Sequence, residues 1–120
     1  MSYNQVFIIN QSLDMSKGKV AVQTAHGEVF YMHHLNEPHS CGNWVFSQWM
    51  KDGVMKKIAL KAPEQEFLQI AKTLEQEKIW FHIVKDLGLT QIQAGSSTCI
   101  VVEPLLEEMA KKLFGHLKLL

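Results

Sequence analysis

The feature that most limits this chain is a set of four short apolar runs, rich in β-branched residues and set apart by helix-patterned segments. Gln5–Asn10 (QVFIIN), Lys57–Ala62 (KIALKA), Ile79–Val84 (IWFHIV) and Thr98–Val102 (TCIVV) each have the length and composition of a strand. QVFIIN is apolar at successive positions, as in a strand covered on both faces, whereas KIALKA alternates and predicts one wet side. Lys19 to about Leu35 predicts a helix, with Ala21, Val22, Ala25, Val29 and Met32 on one stripe expected to pack on a sheet. Ser16 or Gly18 is where that helix should begin. Trp44–Met50 predicts a short helix, and Pro63 with Glu64 and Glu66 opens another whose inner face is Phe67, Ile70, Ala71 and Leu74. Pro104 is expected to open the last helix, with Leu106, Met109, Ala110 and Leu113 inward, and the apolar tail His116–Leu120 should be tied down. Trp44, Trp49 and Trp80 read as packing anchors. Strands alternating with helices give an α/β architecture, helices flanking a small sheet that is mostly parallel or mixed.

At 120 residues the chain is expected to be a single domain, 1–120, burying roughly two-thirds of its unfolded surface. No apolar stretch approaches the length of a membrane span, and Met1–Gln5 lacks the basic and apolar regions of a secretory leader. Cys41 and Cys99 read as reduced thiols, which fits a cytoplasmic setting. All twelve basic residues are lysine, balanced by twelve acidic ones. A polyanion site must then be a local lysine patch, without the bidentate phosphate forks that arginine supplies. If such a patch serves a large polyanion, Lys17, Lys19, Lys56, Lys57, Lys111, Lys112 and Lys118 should converge around one groove.

In α/β sheets, sites gather beyond the carboxyl ends of strands, beside helix N-termini. Two loops qualify. The first holds Ser16-Lys17-Gly18-Lys19 at a helix entrance, where free N–H groups and the helix dipole favour an anion. Gln23 and His26 follow Lys19 at i+4 and i+7, so an ammonium, an amide and an imidazole share one stripe able to hold a phosphate or polarise a carbonyl. A solvated lysine, a satisfied amide and a packed histidine would give the same pattern. The second loop, Asp86-Leu87-Gly88-Leu89-Thr90-Gln91, sets a carboxylate just past a strand and four residues before a hydroxyl. That pair can activate a water or simply close an Asx-type turn. His33, His34, His39 and Cys41 lie within nine residues, but adjacent helical histidines diverge by about 100° and the spacing matches no standard zinc pattern. No metal site and no cofactor is expected.

The chain resembles the type 2 (archaeal and eukaryotic-type) peptidyl-tRNA hydrolases. Met15–His26 (MSKGKVAVQTAH) is similar to the family's M-G-K-G-K-x-A-x-Q-x-A-H, with Ser16 in place of the first glycine. Asp86–Ile92 (DLGLTQI), followed by Ala94-Gly95-Ser96 and Thr98, is similar to D-A-G-x-T-Q-I. Gly115–Leu120 (GHLKLL) is similar to G-x-L-K-L, and KIALK fits the K-[IV]-x-[LV]-K strand. The resemblance implies a four-stranded mixed sheet between helices, a three-layer α/β/α domain that hydrolyses the ester between a peptide and tRNA. It implies catalytic roles for Lys19, Gln23, Asp86 and Thr90, with Lys17, His26, Gln91 and Ser96 binding substrate. It also implies peptidyl-tRNA as partner, tRNA recycling in translation, and allows a homodimer. The alternative is a catalytically silent module of the same fold, binding a protein or a small anion.

Overall fold

The computed structural model describes residues 2–38, 40, 42–87 and 95–120. Strand β1 (Tyr3–Asn10) runs through a short 3-10 turn into helix α1 (Lys17–Leu35), followed by α2 (Asn43–Met50). Strand β2 (Lys57–Ala62), helix α3 (Glu64–Gln76) and strands β3 (Phe81–Lys85) and β4 (Ser97–Val102) come next. The chain ends with β5 (Leu105–Leu106), α4 (Glu107–Phe114) and β6 (Lys118–Leu119). The sheet order is β3-β4-β1-β2-β6, with β5 paired to β1. β1 and β2 are parallel and the other pairs antiparallel, so the sheet is mixed as expected. Among the described residues six strands form it rather than four, because two short segments extend the four long ones.

Alternation along β1 builds the two core layers. Val6 and Ile8 face α3 and α4, joining Phe67, Ile70, Leu74, Ala110 and Phe114. Phe7 and Ile9 face the other way, toward Tyr31 and Leu35 of α1 and Trp49 of α2. The inner face expected of α3 is the one observed, all four residues being buried. Trp49 is buried, but Trp44 is exposed, with its ring edge-on to Tyr3.

Helix α1 is turned from its expected orientation. Its buried residues are Lys19, Gln23, Gly27, Tyr31 and Leu35, while Val22 and Val29 are 51% and 67% exposed and Met32 is exposed too. Gly27 allows this close seat: a Cβ there would lie 3.0 Å from Val101 Cβ on β4. Buried lysine and glutamine are stable on this face because each meets a polar partner, Asp86 just past β3 and Thr98 in β4.

The C-terminal region also differs. Pro104 does not open α4; Leu105 and Leu106 first extend to pair with Asn4 and Tyr3, and helix begins at Glu107. Ala110 is buried there, whereas Leu106 and Met109 are exposed. The tail is held by backbone pairing rather than by burial, with the Leu120 N–H donating to Ala59 O at 3.0 Å while both terminal leucine side chains stay exposed. No helix among the described residues is long and apolar enough to cross a membrane.

Candidate active site

Helix α1 starts with a side-chain cap. Ser16 is extended and its Oγ accepts from the Lys19 N–H at 3.2 Å, satisfying one of the orphan donors of the first turn. The residue that departs from the family's glycine is therefore the one that caps this helix. Lys19 then points inward beneath the cap. Across from it, β3 ends at Lys85 and delivers Asp86, whose N–H donates to Ser96 O at 2.9 Å while its carbonyl accepts from Gly95 N–H at 2.7 Å. Gly95 has φ of +83°, a left-handed conformation that favours glycine, so the loop base closes here.

The two charges meet. Lys19 Nζ lies 2.8 Å from Asp86 Oδ1, with side-chain exposures of 7% and 5%. Gln23, one turn along α1, is buried beside them, and its Oε1 accepts from the Thr98 hydroxyl at 2.6 Å. An ammonium and an amide from α1 and a carboxylate from beyond β3, two distant stretches of chain, thus share one wall of a cleft of about 330 Å³. The cleft is lined by Lys19, Val22, Gln23, His26, Phe30 and Val84, then Lys85, Asp86 and Leu87.

The sequence-predicted residues sort by position. Lys19, Gln23, His26 and Asp86 border the cleft. Lys17 is exposed at the start of α1 and does not line it, and Ser96 contributes its backbone carbonyl to Asp86. Thr90 and Gln91 lie outside the described residues, as do His39 and Cys41. His34, five residues before His39, stacks on Trp80 with centroids 4.6 Å apart. Among the described residues no three His, Cys, Asp or Glu side chains gather as metal ligands would.

Five residues of the cleft, Val22, Phe30, Val84, Lys85 and Leu87, were not legible from sequence as site residues. Val22 and Phe30 supply apolar wall on the α1 side, and Leu87, 81% exposed, stands at the rim. Phe30 is held by His82, whose ring stacks on it with centroids 3.9 Å apart; burial lowers the His82 pKa below its ordinary value and favours the neutral imidazole. The usable signal was the spacing from Val22 to His26 to Phe30, each a turn apart along the chemistry-bearing side of α1.

The lysines do not gather in one groove. Lys57 sits opposite Gln5 at the start of β1, and Lys56 and Lys111 line a separate cleft, with Lys56 bonded to Glu107. Lys61, opposite Ile9 and paired with Lys118, lies toward the end of the sheet that carries α1's N-terminus. The positive charge divides between two ends of the sheet, and the cleft has Lys19 and Lys85 as its own lysines.

Residues 3–120 match the family model described as Peptidyl-tRNA hydrolase PTH2. The chain is similar to a protein named peptidyl-tRNA hydrolase from Thermococcus onnurineus, 40% identical over 118 residues, covering 98% of this chain and 97% of the relative. A protein of the same name from Thermococcus sibiricus is 38% identical over 120 residues, covering 98% and 97%. A third, from Sulfurisphaera tokodaii, is 35% identical over 123 residues and covers both chains fully.

Proposed function

The chain belongs to the peptidyl-tRNA hydrolase PTH2 family, and from that premise we propose that it hydrolyses the ester joining a peptide, or an N-blocked amino acid, to tRNA. The observation that carries the proposal is the Lys19–Asp86 pair at 2.8 Å beside Gln23 in one cleft. Of the two sequence-level readings, this intact cluster favours the hydrolase over the silent module.

Asp86 acts as general base. It takes a proton from a water that attacks the ester carbonyl carbon. The carbonyl π electrons move to oxygen, and the resulting oxyanion is met by the Lys19 ammonium and the Gln23 amide. A lysine ammonium has three N–H donors, so it can hold the carboxylate and also turn toward developing charge. Collapse breaks the bond to the ribose oxygen, which takes the proton from Asp86, and leaves tRNA and a peptide acid. Thr90, in the DLGLTQI motif, orients Asp86 or the water in this reading, and His26, Lys17, Gln91 and Ser96 contact the substrate. The whole chain acts as one domain, in the cytoplasm where tRNA is used, as a homodimer.

The test is release of an N-acetylated amino acid from tRNA by wild type, Lys19→Ala and Asp86→Asn at 25 °C, scored per folded molecule. Removing one charge-stabilising group typically costs about 100- to 1,000-fold in kcat. Wild-type turnover by Asp86→Asn would take the carboxylate out of the mechanism, and an inactive wild type would sink the hydrolase reading.

A further inference from the structure

Thr98 is fully buried and sits where β3 and β4 slip register. Val84 pairs with Cys99 but Lys85 pairs with Ser97, which leaves Thr98 as the extra residue of a bulge. Strict alternation would send it to the side of Ile100 and Val102, into the core under α3 and α4. A bulge re-aims a side chain. Here the Thr98 hydroxyl meets helix α1 instead, 2.6 Å from Gln23 Oε1, with Val84 O at 3.1 Å.

A hydroxyl has one proton to give. The 2.6 Å contact suits an O–H···O bond, while 3.1 Å exceeds the usual upper limit of about 3.0 Å, so the proton belongs to the Gln23 oxygen. An amide held by its oxygen turns its NH2 group the other way. Gln23 lines the cleft beside Lys19, and with its oxygen taken by Thr98 the group left to it for the site is the NH2 donor. The opposite flip would set an acceptor there, competing with the oxyanion for the ammonium.

We propose that Thr98, delivered by the β3–β4 bulge, is a positioning residue that locks the Gln23 amide with its donors toward the developing oxyanion. The proposal rests on the hydrolase reading. In the N-acetyl-aminoacyl-tRNA assay, Thr98→Val lowers kcat by about 10- to 100-fold, short of the loss from deleting a donor outright. KM stays within about 2-fold, and Thr98→Ser restores most of the rate. Because Thr98 works through Gln23, Thr98→Val changes kcat less than about 2-fold in a Gln23→Ala background. Gln23→Glu keeps an oxygen for Thr98 but removes the NH2, and loses kcat like Gln23→Ala; this variant decides the matter if Thr98→Val does not fold. Full activity in Thr98→Val or Gln23→Glu, or an equal loss from Thr98→Val with and without Gln23, overturns the proposal. Should wild type itself release nothing, the hydrolase reading fails separately. The amide lock is then read from NMR order of the Gln23 side-chain NH2, which Thr98→Val must loosen; unchanged order overturns it.

Discussion

Separating what the Lys19–Asp86 pair does for folding from what it does for chemistry requires removing the charges one at a time and then together. At 2.8 Å and with both side chains under a tenth exposed, the attraction in an effective dielectric of about 20 is about 6 kcal/mol, most of it offset by desolvation. Removing one partner leaves an uncompensated buried charge, which costs about 3–5 kcal/mol. For a chain of this size that lowers Tm by roughly 12–20 °C. Lys19→Met and Asp86→Asn should each show that loss in thermal and urea unfolding. The double variant buries no charge, so it should regain at least about 2 kcal/mol over the sum of the singles. All three should lose turnover by about 100-fold or more, because stability returns without the groups that do the chemistry. Additive destabilisation in the double variant would refute the buried coupled pair. A stable double variant with wild-type turnover would refute the mechanism.

Two further outcomes follow from burial elsewhere. Desolvation raises the Glu28 pKa despite a 2.8 Å bond from Gln5 and Lys57 at 4.0 Å. The folded state therefore holds this proton above pH 4.5 where the unfolded state has lost it, and the associated stability disappears as pH rises through the raised value. Glu28→Gln keeps an acceptor for Gln5, so it should melt above wild type at pH 8 and match it at pH 4; a lower Tm at pH 8 would contradict this. Leu74, fully buried under the sheet, should cost about 2–5 kcal/mol when changed to alanine, whereas Val29→Ala should stay within about 0.5 kcal/mol. Equal losses in urea unfolding would mean that α1 buries its apolar stripe after all.

Helix α3 was legible because its inner face does nothing but pack: Phe67, Ile70, Ala71 and Leu74 are apolar at helical spacing, and the structure buries all four. The end of β3 was legible for a similar reason, since a carboxylate just past an apolar strand has few roles other than a turn or a site. Pro104 misled because proline suits both a helix start and an extended approach to one, and pairing of Leu105–Leu106 with β1 settles which it is. Thr98 was hidden more deeply. Nothing in TCIVV announces a bulge, and counting alternate residues assigns its side chain to the face it does not occupy.

Helix α1 shows how a site can invert a pattern that packing alone would set. Its sequence offers two stripes, an apolar one through Val22 and Val29 and a polar one through Lys19 and Gln23, and one helix cannot seat both on the sheet. Hydrophobic patterning selects the first and the protein uses the second. The tie-breaker was present in Gly27, a mid-helix glycine that costs about 1 kcal/mol relative to alanine and so requires a reason. Four residues past Gln23 and four before Tyr31, it marks the line on which the helix backbone approaches Val101 closely. That close seat brings the Lys19 ammonium to Asp86 and the Gln23 amide to Thr98. The exposed valines are the cost of placing the polar stripe inward, and the buried lysine and glutamine tolerate it because each arrives opposite a polar partner, Asp86 just past β3 and Thr98 in β4.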